Sequence, residues 1–151
     1  MAIGSNMRMA MLVTAILTSS AAGISAAWLE GNERSYCKRA DALLAKGSLT
    51  GAVENYSKAI ELNPSFAVAY SNRGYAYQLR GDLSSAMADY NRALEINPKL
   101  AQAYANRGAL KEDRGELGAA IEDYNRAIRI ARNFAEAYYN RGKAQIGRAH
   151  V

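Results

Sequence analysis

A segment of 34 residues recurs along this chain and limits what the chain can fold into. Residues 67–100 (AVAYSNRGYAYQLRGDLSSAMADYNRALEINPKL) are followed at once by residues 101–134 (AQAYANRGALKEDRGELGAAIEDYNRAIRIARNF), and 16 of the 34 aligned positions are identical. Residues 33–66 keep the same landmark positions more loosely, and a fourth copy begins at residue 135. A fixed period of this length indicates an array of stacked units, each packed against its neighbours.

Each copy predicts two amphipathic helices joined by a tight turn. In the second copy, Tyr70 and Gly74 are four residues apart and so share one face of a helix. A second set of apolar residues with helical spacing begins at Leu83. Between the two sets, Gly81 suits the left-handed residue that closes a helix, and Asp82 is placed to cap the next one.

The apolar faces of one helix pair cannot be buried by that pair alone. Stacking the pairs makes the core continuous, so stability becomes a sum over repeats and neighbours. Gly74 and Ala86 lack bulk, so the paired helices can approach closely while tyrosines fill the space beside them. The periodicity therefore predicts an all-α array of helical hairpins.

The landmark positions resemble those of the tetratricopeptide repeat family. They are Tyr70, Gly74, Tyr77, Ala86, Tyr90, Ala93 and Pro98 in the second copy, and Tyr104, Gly108, Ala120, Tyr124 and Ala127 in the third. The resemblance implies a right-handed solenoid of antiparallel helix pairs, with an inner, concave face lined by the first helix of each pair. In the third copy Lys111 departs from the family pattern, which has an apolar residue there, and we expect it to loosen local packing.

The resemblance also divides the chain into units. They are three tetratricopeptide repeats at residues 33–66, 67–100 and 101–134, and the start of a fourth at residues 135–145.

Residues 1–27 have the pattern of a targeting segment. A lone positive charge at Arg8 precedes an uncharged apolar run at residues 9–17, and small residues continue to Ala27. We expect a signal peptide cleaved after Ala27, which places the mature protein in a bacterial periplasm or outside the cell. The alternative left open is an uncleaved anchor in the inner membrane, although a spanning helix needs about 20 mainly apolar residues. A membrane is expected as a partner only in that case.

Residues 146–151 (IGRAHV) interrupt the repeat pattern in the middle of a predicted helix. Their back-translation resembles read-through into a sequencing-library adaptor. We therefore interpret them as a sequencing artefact, and expect the natural chain to continue past about Gln145. On this interpretation His150, the only histidine, does not belong to the natural protein.

The residue types that build common catalytic and metal sites are missing from the repeats. Without a histidine other than His150, Ser-His-Asp and Cys-His arrangements are excluded, and the single Cys37 cannot build a zinc site. We predict no enzyme activity, no cofactor and no metal site. The net charge is +5, but acidic residues are interleaved with the basic ones, so we also predict no nucleic-acid partner.

Three asparagines point to a different kind of site. Asn72, Asn106 and Asn140 recur every 34 residues on the predicted first helices, so stacking places them in a row. An asparagine side chain donates and accepts hydrogen bonds, so such a row can bind the main chain of an extended peptide. The neighbours expected to share this groove are Val68, Ser71, Tyr75, Gln102, Ala105, Ala109, Glu136 and Tyr139.

Some members of the resembled family grip a partner's C-terminal carboxylate with lysines and an arginine around such asparagines. The matching positions here hold Cys37, Asp41, Gln102 and Asn106. Since no cation stands at these positions, we do not expect this kind of tail recognition.

The repeated arginines have a simpler interpretation. Arg73 can reach acidic groups of the adjacent helix, and Asp89 and Asp123 are the expected counter-ions. We expect such pairs to be exposed and to stabilise the fold by at most about 1 kcal/mol each.

The function that these features favour is a protein–protein interaction scaffold that holds a peptide or helix of a partner in its groove. Two alternatives stay open. The repeats could be an accessory module of a longer envelope enzyme or assembly factor, or the chain could associate with itself through the unfinished fourth copy.

Overall fold

The computed structural model describes residues 31–150, which form seven α-helices and no strand. The helices are α1 (Glu33–Ala45), α2 (Leu49–Leu62), α3 (Ala67–Arg80), α4 (Leu83–Ile96), α5 (Ala101–Asp113), α6 (Leu117–Ile130) and α7 (Ala135–Ala149). The prediction of an all-α solenoid is confirmed. The predicted signal segment, residues 1–27, lies outside the described residues.

The helices pair in chain order. The packing is most extensive within the hairpins α1–α2, α3–α4 and α5–α6, and α7 packs against α6. The first helices also contact one another in a row, α3 with α5 and α5 with α7. Among the helices of the described chain, none is long and apolar enough to span a membrane.

The turns inside the hairpins depend on glycine. Gly47, Gly81 and Gly115, spaced 34 residues apart, have φ angles of +77°, +87° and +76°. Side chains other than glycine rarely adopt this left-handed conformation. After Gly81, the Asp82 carboxylate accepts a hydrogen bond from the Ser85 backbone N–H at 3.2 Å and caps α4, as the sequence predicts.

A buried tyrosine forms the centre of each hairpin. Tyr56, Tyr90 and Tyr124 are fully buried, and each lies on the second helix of its copy. A Cβ atom added to Gly74 would lie 2.9 Å from Tyr90 Cε1, and one added to Gly108 would lie 2.8 Å from Tyr124 Cε1. The glycines therefore leave the space in which the rings pack, which confirms the predicted close approach.

Arg73 joins two copies of the repeat. Its Nε and Nη2 donate to Oδ2 and Oδ1 of Asp89 on α4, both at 2.8 Å, and its Nη1 donates to Ser57 Oγ on α2 at 3.0 Å. Asp89 is thus the counter-ion that the sequence predicts. The expectation of an exposed pair is wrong, because the side chains of Arg73 and Asp89 are only 18% and 8% exposed. Removing one partner of such a two-pronged, mostly buried pair costs more than breaking a surface ion pair.

The third copy repeats this arrangement and adds a second cation. Arg107 donates to Asp123 through Nε and Nη2, both at 2.8 Å, and to Asn91 Oδ1 through Nη1 at 2.8 Å. Lys111 Nζ lies 2.8 Å from Asp123 Oδ2. Lys111, which departs from the family pattern, thus contributes an ammonium group that neutralises a carboxylate that is almost fully buried.

Candidate functional site

A cavity of about 280 Å³ opens along the first helices of all four copies. Its lining comes from α1, α3, α5 and α7, with one residue from α2. The lining residues are Asp41, Leu44, Tyr56, Asn72, Tyr75, Gln102, Asn106 and Glu136. We call this cavity the groove.

Two of the three predicted asparagines line the groove. Asn72 Nδ2 donates to Asp41 Oδ1 at 3.4 Å. Asn106 Oδ1 accepts from Gln102 Nε2 at 2.8 Å, which leaves the Asn106 amide nitrogen without a partner among the described residues. Asn140 on α7 is partly buried and is not part of the lining. The amides that can meet a ligand in the groove are therefore those of Asn72, Gln102 and Asn106.

Most of the other predicted neighbours are accessible. Val68, Tyr75, Gln102, Glu136 and Tyr139 are exposed, and Ala109 is partly buried. Of these, Tyr75, Gln102 and Glu136 line the groove, whereas Val68, Ala109 and Tyr139 do not.

The structure places two predicted groove residues elsewhere. Ser71 and Ala105 are only 1% and 2% exposed, so neither can contact a ligand in the groove. Each directly precedes a groove asparagine, and one residue along an α-helix is a rotation of about 100°. That rotation turns both side chains into the packed interior, where Ala105 belongs to a cluster with Ala127 and Ala137.

Three groove residues were not predicted as site residues, and Asp41 is the most important of them. Its Oδ1 accepts hydrogen bonds from the Tyr56 hydroxyl, at 2.5 Å, and from Asn72. Burial, followed by this hydrogen bond to Asp41, raises the pKa of Tyr56, so the hydroxyl stays protonated and donates. Leu44 is the third of these residues, and it supplies apolar surface beside Asp41.

A signal for Asp41 was present in the sequence. Position 41 is equivalent by the 34-residue period to Tyr75 in the next copy, which was predicted for the groove. A carboxylate there breaks the repeat, so alignment of the copies identifies Asp41 as a charged residue at a predicted groove position.

The charged side chains that line the groove are negative. Its eight lining residues in the described part of the chain include the carboxylates of Asp41 on α1 and Glu136 on α7, and no lysine or arginine. Between them lie amides and the ring of Tyr75, which is 42% exposed. The groove can therefore accept a cation and hydrogen-bond donors or acceptors.

Metal ligands are not clustered in residues 31–150, where no group of three or more His, Cys, Asp or Glu side chains could hold an ion. The chemistry that the groove offers is recognition by charge, hydrogen bonding and an aromatic surface.

Comparison with known proteins gives matches to models of one kind of repeat. A family model described as "TPR repeat" matches residues 40–81 and 113–146, and a model described as "Tetratricopeptide repeat" matches residues 67–100. No curated protein sequence matches the chain.

Solved structures of similar fold span most of the chain. The first TPR of Spaghetti (RPAP3) bound to the HSP90 peptide SRMEEVD is 25% identical, covers 78% of this chain and 94% of its own, and has a TM-score of 0.74. The first TPR domain of human RPAP3 is 25% identical, with coverages of 78% and 93% and a TM-score of 0.75. The Arabidopsis OM64 TPR domain is 24% identical, with coverages of 79% and 96% and a TM-score of 0.73, which shows a shared fold.

Proposed function

The chain belongs to the tetratricopeptide repeat family, and from that premise we propose that its groove binds an extended peptide of a partner protein and accepts a basic side chain of that peptide. A structural neighbour, the first TPR of Spaghetti, is bound to a peptide of HSP90, which supports peptide binding. The observation that carries the proposal is the groove itself, which combines amides from two copies with two carboxylates and no cation.

The amides recognise the main chain of the peptide. Asn72 and Asn106 lie on α3 and α5, helices that contact each other, so their amides follow one another along the groove. A peptide main chain presents alternating N–H and C=O groups, and each amide side chain can pair with both. The stacked hairpins hold these groups in place before binding, so little conformational entropy is lost when the peptide arrives.

The carboxylates select the charge of the peptide. Asp41 and Glu136 attract a lysine or arginine side chain, and the exposed ring of Tyr75 offers a face for cation–π contact. The HSP90 peptide bound by Spaghetti, SRMEEVD, has two glutamates and an aspartate. Those carboxylates would meet Asp41 and Glu136, and like charges repel. We therefore propose a basic partner peptide for this protein and not an acidic one.

Two synthetic peptides test this proposal by fluorescence anisotropy. One is SRMEEVD, and the other is SRMKKVK, in which lysine replaces each acidic residue. We expect the lysine peptide to bind about tenfold or more tightly at low salt, and the preference to shrink as salt screens the charges. Glu136→Gln should reduce the preference, whereas Glu122→Gln, an exposed carboxylate on α6 away from the groove, should leave it unchanged.

Main-chain recognition has its own test. The double variant Asn72→Ala/Asn106→Ala should weaken capture of the lysine peptide about tenfold, because two hydrogen bonds are lost. Asn133→Ala, in the exposed turn before α7, is the matched control and should bind normally. Tighter binding of SRMEEVD, or unchanged capture by a folded double variant, would contradict the proposal.

A further inference from the structure

At its α1 end the groove offers two adjacent hydrogen-bond acceptors to a ligand. Asp41 Oδ1 already accepts hydrogen bonds from the Tyr56 hydroxyl at 2.5 Å and from Asn72 Nδ2 at 3.4 Å. Because a carboxylate only accepts, the amide of Asn72 turns its nitrogen toward Asp41 and keeps its oxygen for another partner. Among the described residues no donor is bonded to Asp41 Oδ2 or to Asn72 Oδ1, and both residues line the groove. This end of the groove therefore suits a ligand that carries several donors and a positive charge.

The two carboxylates of the groove differ in how firmly they are held. The hydroxyl of the fully buried Tyr56 and the amide of Asn72 both donate to Asp41, whose side chain is short. Glu136 has a longer side chain and is exposed on α7, and within the described residues no side chain donates to it. A carboxylate that is held in place suits a compact cation at a fixed position, whereas a mobile one can follow a long side chain.

The N-terminal α-ammonium group of a peptide is a compact cation of this kind. It carries N–H donors for both Asp41 Oδ2 and Asn72 Oδ1, and it is attached directly to the main chain. A lysine ammonium group has the same donors, but a flexible four-carbon stem separates it from the main chain. Such a stem offers no hydrogen-bonding group to the amides of the lining, which are those of Asn72, Gln102 and Asn106. The order of the polar groups therefore favours the terminus at Asp41.

The amides of α5 give the peptide a direction. Asn106 Oδ1 accepts from Gln102 Nε2 at 2.8 Å, so the Asn106 nitrogen is the free donor of this pair among the described residues. A donor pairs with a main-chain carbonyl, whereas the acceptor of Asn72 on α3 pairs with an N–H. A peptide that starts at α1 meets acceptors first and a donor next. A later side chain of this peptide then reaches Glu136 on α7.

We propose that the groove captures the free N-terminus of its peptide, with the α-ammonium group on Asp41 Oδ2 and Asn72 Oδ1 and the chain running from α1 toward α7, where Glu136 meets a basic side chain. This inference rests on the peptide binding proposed above and adds which end of the peptide is bound and in which direction it runs. The cavity of about 280 Å³ is no larger than the pockets that hold small ligands, so it takes only the first residues of a peptide.

Acetylation of the peptide N-terminus tests this inference by calorimetry with the full chain. We expect acetylated SRMKKVK to bind about tenfold or more weakly than the free peptide, because a charge-assisted hydrogen bond is lost. Acetylated SRMKKVKK, in which one more lysine restores the net charge, should not regain the affinity. Equal binding of free and acetylated SRMKKVK, or full recovery with SRMKKVKK, would overturn the inference and leave peptide binding standing. Absence of binding by all three peptides would overturn both.

Asp41→Asn and Glu136→Gln form a matched pair, since each removes one negative charge from the groove with little change in side-chain size. Asp41→Asn should reduce the advantage of the free over the acetylated peptide to about twofold or less, because the charged acceptor is gone. Its amide oxygen can still accept from the Tyr56 hydroxyl, and circular dichroism checks that the variant is folded. Glu136→Gln should weaken both peptides alike and keep the advantage. Loss of the advantage in both variants, or in neither, would overturn the inference.

Discussion

Asp89 and Asp123 occupy equivalent positions, but they differ in the number of cations that hold them. Both carboxylates are almost fully buried. Among residues 31–150, Asp89 is paired with Arg73 alone, whereas Asp123 is paired with Arg107 and Lys111. When a buried carboxylate loses its only cation, no attractive interaction offsets the free energy that its desolvation costs.

This difference predicts unequal effects for two equivalent substitutions. Arg73→Ala should lower the free energy of unfolding by about 3 kcal/mol, and Arg107→Ala by roughly 1 kcal/mol less, because Lys111 remains beside Asp123. Urea denaturation of the purified protein measures both. Arg92→Ala is the control, since its ion pair with Glu95 is exposed to solvent and contributes little to stability. Equal losses for Arg73→Ala and Arg92→Ala would show that the buried pair contributes no more than a surface one.

At the scale of helices, the contact between the two members of a hairpin depends on one position of the first helix. Gly74 and Gly108 pack against the rings of Tyr90 and Tyr124, and the backbone oxygen of Ala86 would lie only 3.2 Å from a Cβ on Gly74. Neither the fully buried ring nor the backbone can move away cheaply.

Replacing the equivalent glycine by alanine should therefore have opposite effects on stability at Gly74 and at Gly142. Gly74→Ala should destabilise the protein by about 1–3 kcal/mol through overpacking. Gly142→Ala, in open space inside α7, should stabilise it by about 0.5–1 kcal/mol, because alanine is the better helix former. Thermal unfolding followed by circular dichroism compares the two. A loss at Gly142 equal to that at Gly74 would mean that the helix conformation and not the tyrosine contact sets the effect.

At the scale of the whole molecule, the core contains one cysteine thiol and three tyrosine hydroxyls that are buried in their protonated form. Burial, and then the negative charges of Asp41 and Glu33, raises the pKa of Cys37 from 9.0 to about 11. Burial raises the pKa values of Tyr56, Tyr90 and Tyr124 as well. These four groups are distributed over the three complete copies, so a rise in pH should lower the stability of every copy.

Stability should therefore fall as pH rises above about 9. Between the unfolded and folded pKa values of Cys37, the folded chain keeps a proton that the unfolded chain loses, so rising pH favours unfolding, and the tyrosines extend the effect to higher pH. The rise of the Cys37 pKa from 9.0 to about 11 limits the contribution of the thiol to the free energy of unfolding to at most about 3 kcal/mol. Urea midpoints between pH 7 and pH 11 measure the decline. Cys37→Ser should flatten the curve between pH 9 and 11, and a wild-type midpoint that stays constant to pH 11 would contradict the prediction.

The sequence alone determined the hairpins, their order and the family. The 34-residue period identifies equivalent residues, and helical spacing identifies the apolar faces, so the helices, the glycine turns and the close contact at Gly74 follow from local rules. The period also identified Asn72 and Asn106 as groove residues. The 34-residue period does not determine the direction in which each side chain points relative to the next copy.

Only the tertiary structure decided which side chains meet. Ser71 and Ala105 turn inward although they neighbour groove residues, since one residue rotates the side chain by about 100°. Asp41 reaches Tyr56 and Asn72, and Lys111 reaches Asp123, across helices whose relative position no local pattern specifies. The charge of the groove depends on such contacts, because packing, and not residue spacing, determines which carboxylates keep access to a ligand.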